Sequence, residues 1–502
     1  MSNDIHLKFI DNVYMKVECD LGIHKELSEF LSFYAPNYKF HPKVKARMWD
    51  GKIRLLNTMT ATCYVGLSQV IKKFCDSRGY SFTFDDEFYY ENCSEHELTK
   101  HIQSLNIPEK FQSRDYQFQS ILKCIRSKRR TLISPTSSGK SFMIYVLSQW
   151  YKKEKCLIIV PTTALVLQFK DDIYSYGFKG KIADSVTGLS RTDYDIDADI
   201  VISTWQTLNN GKTSMPKEWY NQFGVVFGDE AHTAKATLLT NILCNLTNCQ
   251  YRFGTTGTLD DDLLNKHTII GLFGPTYRSI STKEMMDRGY SSKLKIKCIV
   301  LKYPKEDVIE LKKRINDIKG DKKTIGSKKY NTEIDFIVNS EKRNKFIKNL
   351  VLSLKGNKLI FFRKIEHGEI LRDMLKDISN TFHIDGNISA IKRDQIKKAI
   401  EEEDNCNLVA SLGTTSTGIS INRLKHMIGT APQKAKIKLL QAIGRMLRLH
   451  EEKMVDGAIY YDIVDDLSEG SFENYSINHF RERCKIYDQE EFEYEIYNVK
   501  LK

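Results

Sequence analysis

Short apolar runs, each followed by polar residues, recur through the middle of the chain. Between residues 96 and 282 these runs read RRTLISP, KCLIIVPTT, ADIVIST, FGVVFGDEAH and YRFGTTGT, with stretches of helical apolar spacing between them. A strand that is buried on both faces of a parallel sheet produces such a run. Strands that alternate with helices are typical of a doubly wound α/β sheet. The pattern therefore predicts an α/β lobe over residues 96–282.

A second set of runs begins near residue 290. KLKIKCIVLKY alternates with period two, which is typical of a half-exposed strand, and a lysine-rich segment of helical character, KKRINDIKGDKKTIGSKKYN, follows it. The later runs KLIFF, TFHID, NLVASLGTT, KHMIGTA and GAIYYDIV again predict strands. We expect a second doubly wound lobe over residues 283–466 and a polar helical tail over residues 467–502.

A small α+β domain is predicted over residues 1–95. Within it, VKARMWDGKIRLLNT has the pattern of a hairpin whose turn lies at the Asp-Gly pair. Its first half carries Lys45, Arg47 and Trp49, and basic side chains beside an aromatic ring suit contacts with phosphates and bases. We therefore predict that this domain binds nucleic acid. The alternative for Trp49 is a core tryptophan beneath a solvated basic face.

Composition narrows the class of protein. The chain has 502 residues, 41% of them hydrophobic and 28% charged, which suggests roughly three globular domains of ~150 residues each. No apolar run approaches the ~20 residues that span a bilayer, and the N-terminal MSNDIHLKF lacks a secretory-signal pattern. We expect a soluble, cytoplasmic protein without membrane contacts. The 11 cysteines form no C-x-x-C pair, which favours reduced thiols over a zinc site. A net charge of +12 favours polyanionic partners.

The segment SPTSSGKS nearly matches the phosphate-binding pattern G-x-x-x-x-G-K-[ST], with Ser134 in place of the first glycine. It follows an apolar run and precedes a helical pattern, so backbone N–H groups would converge on phosphate oxygens. Pro135 fixes φ and so compensates for the missing glycine. Lys140 would reach the β and γ phosphates of ATP, and Ser141 would ligate Mg²⁺. The predicted nucleotide-binding residues of this loop are Pro135, Thr136, Ser137, Ser138, Gly139, Lys140 and Ser141.

Two carboxylates follow the run VVFG. Asp229 is suited to hold the water shell of Mg²⁺, and Glu230 to accept a proton from the water that attacks the γ-phosphate. A pair of surface carboxylates is ordinarily only solvated charge. A position directly after a buried strand, downstream of a phosphate loop, favours the catalytic interpretation.

PTSSGKS together with DEAH resembles the superfamily 2 helicases, and further motifs occur in the family's order from about residue 110 to residue 465. The resemblance implies two RecA-like lobes that clasp ATP and Mg²⁺ between them. SRDYQ resembles the adenine-reading motif, in which Arg114 and Gln117 contact the nucleotide; a helix-capping role is the alternative for Gln117. The resemblance also implies that residues near the DEAH and TTGT segments couple hydrolysis to movement, namely His232, Thr256, Gly257 and Thr258.

Nucleic-acid contacts are implied by four further segments, PTTALVLQF, STWQTL, LIFFRKIEHG and LGTTSTGISI. The residues that the resemblance assigns to the strand are Thr162, Gln168, Thr204, Gln206, Arg363 and Thr414. Gly418 is assigned to the nucleotide. Ser416 and Ser420 stand where several relatives have acidic residues, so no contact through those acids is carried over.

QAIGRMLR supplies the second lobe's contribution to the nucleotide site. Gln441 would bind the nucleotide, and Arg445 and Arg448 would reach the γ-phosphate and stabilise transition-state charge. An isolated GRxxR segment is more often part of a salt-bridged helix surface. Its position after the other motifs favours the catalytic interpretation.

The whole layout, with its small N-terminal module and two compact lobes, most resembles phage recombination helicases. That resemblance implies an ATP-dependent DNA helicase that unwinds branched DNA and RNA–DNA hybrids, moves Holliday junctions and regresses stalled forks. The implied partners are branched DNA, RNA–DNA hybrid, single-stranded DNA and recombination or single-strand-binding proteins, with the helicase itself a monomer. Three alternatives stay open: the motor subunit of a restriction enzyme, an RNA helicase of the DEAH type, and a basic scaffold whose phosphate loop is vestigial.

Overall fold

The computed structural model describes the chain except for residues 1–3, 86–90, 188–195, 210–213, 233–235, 259–261, 320–323, 379, 387, 412–420, 432–435 and 455. The chain forms two compact units. The first contains residues 1–135 and 139–280, and the second contains residues 136–138 and 281–502. The N-terminal module and the first lobe lie in the first unit, and the second lobe lies in the second.

The N-terminal module is a small α+β fold. Its strands and helices are β1 (Ile5–Phe9), β2 (Tyr14–Cys19), α1 (Leu21–Phe30), β3 (Ser32–Tyr34), α2 (Pro42–Lys45), β4 (Lys52–Arg54), β5 (Thr62–Tyr64), α3 (Ser68–Arg78) and β6 (Phe82–Phe84). The main sheet is mixed, in the order β5-β2-β1-β6, with β1 and β6 parallel. Strands β3 and β4 form a separate antiparallel pair.

The hairpin predicted in VKARMWDGKIRLLNT is wrong in its first half. Residues Pro42–Lys45 form the short helix α2, and strand β4 pairs with β3 instead. Proline lacks the N–H that a central ladder requires and has a backbone angle suited to the first turn of a helix. The side chain of His41 caps this helix by accepting a hydrogen bond from Lys43 N. The predicted turn is present, with Gly51 at φ +82°.

The first lobe is built on a seven-stranded, all-parallel sheet in the order β13-β7-β12-β11-β8-β10-β9. Its elements are α4 (Glu95–Ser104), α5 (Asp115–Ser127), β7 (Arg129–Ile133), α6 (Lys140–Trp150), β8 (Lys155–Val160), α7 (Thr163–Ser175), β9 (Ile182–Asp184), β10 (Ile200–Thr204), α8 (Trp205–Leu208), α9 (Lys217–Asn221), β11 (Phe223–Asp229), α10 (Ala236–Asn245), β12 (Tyr251–Thr256), α11 (Leu263–Phe273) and β13 (Thr276–Arg278). Every residue of β11 is buried, as the apolar run predicts.

The N-terminal module packs directly on the first lobe. A Cβ atom on Gly66 would lie 2.2 Å from the carbonyl oxygen of Ile270, so only glycine allows this approach. Asn12 Nδ2 donates to the carbonyl of Thr247 at 3.0 Å, and Arg129 Nη2 donates to the carbonyl of Asn12 at 3.1 Å. These contacts join the module and the first lobe into one unit.

The second lobe is also a seven-stranded parallel sheet, in the order β16-β17-β15-β18-β19-β14-β20. Its elements are α12 (Thr282–Asp287), β14 (Leu294–Lys302), α13 (Lys305–Asn316), α14 (Ile325–Val338), α15 (Glu341–Ser353), β15 (Asn357–Phe362), α16 (Ile365–Leu375), β16 (Thr381–Ile384), α17 (Ala390–Glu402), β17 (Asn407–Ser411), β18 (Leu424–Gly429), α18 (Lys436–Met446), β19 (Ala458–Asp466), α19 (Tyr475–Gln489) and β20 (Tyr494–Lys500). The two predicted doubly wound lobes are confirmed.

The C-terminal segment belongs to the sheet of the second lobe. The predicted helix is present as α19, but the chain then adds β20, a strand that pairs in parallel with β14. Because β14 is flanked by β19 and β20, it is buried continuously from Cys298 to Leu301, and only its first half alternates as predicted. The sequence YEIYNVK is rich in residues that favour strands, a signal hidden by the polar composition of the segment.

All 11 cysteines are free thiols, and eight of them are buried. Within the part of the chain that the structure describes, no helix is long and apolar enough to span a bilayer.

Candidate functional site

The phosphate loop connects β7 to α6, as its sequence predicts. Ser134 is fully buried, and its N–H donates to the carbonyl of Thr256 at 2.8 Å, so it continues the strand ladder. Positive φ angles occur later in the loop, at Ser137 (68°) and Gly139 (78°). The first position therefore has no need of glycine in this chain. At Gly139 the positive φ favours glycine, and a Cβ atom would displace Gln117 Nε2, which would lie only 2.3 Å away.

Lys140 occupies the centre of a buried charge cluster at the carboxyl ends of the central strands. Its Nζ donates to Glu230 Oε1 at 2.6 Å and lies 3.9 Å from Asp229 Oδ1. The Lys140 side chain is 12% exposed and the Glu230 side chain 14%. The two carboxylates thus hold the lysine ammonium at the place where phosphate oxygens would bind it. The structure thus brings together three residues that the sequence assigns to one predicted nucleotide site.

The cluster separates the pKa values of its two carboxyl groups. Burial, and then the nearby charge of Glu230, raise the pKa of Asp229, although Lys140 acts in the opposite direction. Burial would also raise the pKa of Glu230, but the positive charge of Lys140, and next the His232 ring, outweigh it and lower that pKa. The charge of Lys140 therefore favours the ionised form of Glu230, which is the form that can accept a proton.

The residues predicted to couple hydrolysis to movement form one hydrogen-bonded chain. The hydroxyl of Thr256 donates to the carbonyl of Thr258 at 2.6 Å. His232 Nδ1, 2.6 Å from that hydroxyl, must therefore be the donor of its bond. The same Nδ1 lies 3.4 Å from Glu230 Oε2, and Gly257 N donates to this oxygen at 3.5 Å. Close polar contacts thus connect Glu230 to the TTGT segment.

Ser141 and Asp229 supply oxygen donors of the kind that Mg²⁺ prefers, alongside phosphate oxygens and water. In the described residues no group of three or more His, Cys, Asp or Glu side chains could hold a metal by itself. Asp229 Oδ1 accepts from Thr255 Oγ1 at 2.6 Å. The Ser141 hydroxyl is 2.9 Å from Tyr176 Oη. Sequence reasoning missed Tyr176, because no local pattern marks a contact between the ends of two helices.

Gln117 is a helix-capping residue in this structure. Its Oε1 accepts a hydrogen bond from Arg114 N at 2.9 Å, and its side chain is almost fully buried. Its Nε2 lies against Gly139, which places the amide beside the phosphate loop. The capping alternative is therefore present, and recognition of adenine by Arg114 and Gln117 stays a prediction.

The strand-contact residues of the first lobe gather at the carboxyl ends of the neighbouring strands β8 and β10. Thr162 and Thr204 cap the helices that follow these strands, accepting from Leu165 N at 3.4 Å and from Thr207 N at 3.2 Å. Gln168 and Gln206 are exposed. Gln206 Nε2 donates to the carbonyl of Pro161 at 3.3 Å, and contact of the two glutamines with a polynucleotide stays a prediction.

In the second lobe, Arg445 lies on α18 and Arg448 just beyond its end. The backbone after this helix is held by Ser292, whose N–H donates to Leu447 O at 2.8 Å and whose hydroxyl donates to Arg448 O at 3.1 Å. Buried Lys453 Nζ donates to the carbonyl of Met446 at 2.7 Å. Burial lowers the pKa of Lys453 to about 8. The sequence motif does not reveal these two positioning residues.

Some predicted residues of the second lobe cannot be placed. Thr414, Ser416, Gly418 and Ser420 lie outside the described residues, and of Gln441 only the helical backbone is described. Arg363 is exposed directly after β15, and its Nη1 donates to Tyr330 Oη at 3.3 Å.

The basic residues of the N-terminal module are exposed. Lys45 and Arg47 face solvent, while Trp49 is half-buried. Trp49 Nε1 donates to the carbonyl of Lys52 at 2.9 Å, and its ring meets His41 edge-on at 5.1 Å. Trp49 is therefore not a fully buried core residue, and its hydrogen bond to Lys52 supports the basic turn; contact of its ring with bases stays a prediction.

Three family models match the chain in sequence order. Residues 4–85 match the model described as DNA helicase UvsW, N-terminal. Residues 110–261 match type III restriction enzyme, res subunit, and residues 341–450 match helicase conserved C-terminal domain. The matches cover the module and both lobes.

Among similar proteins, the ATP-dependent DNA helicase uvsW of Enterobacteria phage T4 is 32% identical over 522 residues, covering 99% of this chain and 100% of that protein. The DNA 3'-5' translocase XPB2 of Sulfurisphaera tokodaii is 22% identical and covers 69% of this chain and 81% of that one.

Among solved structures, the crystal structure of T4 UvsW matches with a TM-score of 0.51 and 32% identity over 99% of this chain and 100% of that one. Dbp5 from S. cerevisiae, bound to RNA and ADP BeF3, matches with a TM-score of 0.52 and 14% identity over 82% of this chain and 95% of that one. The second match supports only the fold.

Proposed function

Because the chain belongs to the family of the ATP-dependent DNA helicase uvsW, we propose that it remodels branched nucleic acids. It is a nucleic-acid-dependent ATPase and a DNA helicase, as its family membership and its helicase domains establish. The proposed substrates are forks, Holliday junctions and RNA–DNA hybrids, which it would regress, migrate and unwind in the cytoplasm of a phage-infected host. The proposed protein partners are recombination or single-strand-binding proteins, and the proposed active form is a monomer.

The buried cluster of Lys140, Glu230 and Asp229 is the observation that supports the proposed ATP chemistry. When ATP binds, Lys140 exchanges Glu230 for phosphate oxygens. Glu230 then becomes available to orient the attacking water and accept its proton. Mg²⁺, when bound through Ser141 and Asp229, supplies positive charge that offsets the charge on the phosphate oxygens.

Coupling to movement is proposed to pass through His232 and the TTGT segment. Because the His232 ring contacts both Glu230 and Thr256, loss of the γ-phosphate changes the hydrogen bonds of both. Arg445 and Arg448 of the second lobe would contact the same phosphate, so that closure of the lobes is favoured only while ATP is intact. Strand contacts on each lobe would then alternate, and the protein would step.

The nucleic-acid contacts are proposed on three surfaces. Gln168 and Gln206 would contact the strand from the first lobe and Arg363 from the second. Lys45 and Arg47 would neutralise duplex phosphates near a branch point. A branched substrate would bind more tightly than a plain duplex, because the arms of the branch would contact the module and the lobes simultaneously.

ATPase and unwinding rates on a panel of substrates test the proposed function. Forks, four-way junctions and RNA–DNA hybrids should stimulate hydrolysis and be unwound faster than plain duplex of the same length. Equal stimulation by every duplex would contradict the preference for branches. Stimulation by RNA alone would favour the RNA helicase alternative, and cleavage of a plasmid with Mg²⁺ and ATP would favour the restriction motor.

A further inference from the structure

The second lobe contains a half-open cavity of about 110 Å³ at the carboxyl edge of its sheet. Arg363 and Lys364, which follow β15, line it together with Ala431, which follows the neighbouring strand β18. Helix α14 supplies the opposite wall. Ligands of open parallel α/β sheets bind outside the carboxyl ends of the strands, so the cavity lies where such a sheet binds ligands.

The interior of the cavity is mainly apolar, although the buried His367 also lines it. Ile334 and Val338 of α14 are buried at 7% and 3% exposure, and Ala431 at 7%. Tyr330 forms a side wall, and its ring is fixed by Tyr475, which meets it edge-on at 5.7 Å. An apolar floor and a fixed aromatic ring suit a flat, apolar group that stacks.

The rim of the cavity is positively charged and polar. Arg363 is exposed, and its guanidinium donates to the Tyr330 hydroxyl at 3.3 Å. Lys364 lies beside it, paired with Asp335. Asn331, also on the rim, carries both a donor and an acceptor in its amide. A ligand with an anionic group, a flat ring and a polar ring edge would satisfy all three features.

The surroundings favour a polyanion over a free small molecule. Helices α13 and α14 carry the lysine-rich segment, and Lys313, Lys319 and Lys328 on or beside them are exposed. Clustered positive charge of this kind raises the local concentration of nucleic acid. The cavity volume is well below the ~300 Å³ at which drug-sized ligands begin, so it admits one ring system.

We propose that this cavity receives the base of one unpaired nucleotide of the bound strand, with its ring against Tyr330 and its phosphate on Arg363. The proposal rests on the proposed DNA-binding function and adds to it a specific subsite. A base that enters the cavity must leave its stack. The second lobe thus binds a strand that is already unpaired, and its affinity for that strand depends on bases as well as phosphates.

The test compares the affinity of the full-length protein for two oligonucleotides of equal length and charge, one of oligo-dT and one abasic throughout. Removing one base–aromatic contact is expected to change affinity by about 5- to 100-fold. Tyr330→Ala should lower the dT-to-abasic affinity ratio by at least about fivefold, whereas Tyr330→Phe, which keeps the ring, should retain the ratio. Arg363→Gln should weaken both oligonucleotides alike and reduce the salt slope of binding by ~0.7.

Tyr497→Ala is the matched control, because Tyr497 is 43% exposed on the edge strand β20 and lines no part of this cavity. An unchanged ratio in Tyr330→Ala, with its melting temperature near wild type, would overturn the proposal. Free dTMP serves as a competitor for the bound oligonucleotide. If dTMP displaces it from the wild type as effectively as an unlabelled strand of equal nucleotide concentration, and this displacement is lost in Tyr330→Ala, the assignment of the cavity to the strand would be overturned. If no nucleic acid stimulates the ATPase activity of the wild-type protein, the proposed function itself is contradicted.

Discussion

ATP hydrolysis by the Lys140→Ala variant is expected to fall by about 10²- to 10³-fold or more, while the affinity for DNA stays close to wild type. Lys140 is the cation predicted to bind the phosphates, and its Nζ lies 2.6 Å from Glu230 Oε1. Removing one preorganised group that stabilises transition-state charge costs about that factor. The predicted DNA contacts of this lobe, Gln168 and Gln206, follow other strands, so we expect DNA binding not to depend on Lys140.

The measurement is steady-state ATPase beside filter binding of a labelled fork. Lys152→Ala is the matched control, since Lys152 is an exposed lysine of the same lobe and its removal changes the net charge equally. Lys140→Ala leaves Glu230 buried without its cation, which is destabilising. The melting temperatures of Lys140→Ala and Lys152→Ala are therefore compared with that of the wild type. DNA affinity lost in parallel with hydrolysis, in a variant that melts normally, would contradict separate phosphate and strand sites.

The Arg448→Ala variant is expected to turn over ATP about 10³- to 10⁵-fold more slowly, the range found when an arginine that stabilises the transition state is absent. Its affinity for ATP should change little, because the arginine acts on charge that develops only during transfer. The position of Arg448 is fixed by its own backbone, since Ser292 Oγ donates to the Arg448 carbonyl at 3.1 Å. Replacing the side chain therefore removes the charge while the backbone anchor remains.

The measurement separates kcat from the dissociation constant of a fluorescent ATP analogue. Arg372→Ala provides the control, because Arg372 is an exposed arginine of the same lobe whose Nη2 pairs with Asp373 at 3.0 Å. Equal losses of turnover and of ATP affinity in Arg448→Ala would assign the arginine to ground-state binding and not to the transition state.

Much of the fold follows from local pattern. Each strand that is buried on both faces appears as a continuous apolar run, and each run ends at the polar loop that carries chemistry, as in β8, β10 and β11. Because the carboxyl ends of parallel strands meet at one edge, the sequence alone brings Lys140, Asp229 and Glu230 together.

The sequence-based predictions fail where the structure is determined by contacts between distant elements or by a single residue. Pro42 begins a helix in a basic segment that the sequence pattern predicts as a strand. The edge strand β20 contains so many polar residues that its sequence alone does not identify it as a strand. Tyr176 on Ser141 and Lys453 on Met446 are contacts between separate elements. No periodicity encodes such pairs, so only the folded arrangement reveals them.

The distance between the lobes as a function of nucleotide state tests the central claim, that one triphosphate holds two halves of the chain together. Donor and acceptor dyes at the exposed positions Lys152 and Lys376 would report it in the presence of DNA. Energy transfer is expected to rise with a non-hydrolysable ATP analogue and to return to the nucleotide-free value with ADP. Identical transfer with the analogue, with ADP and without nucleotide would contradict the claim.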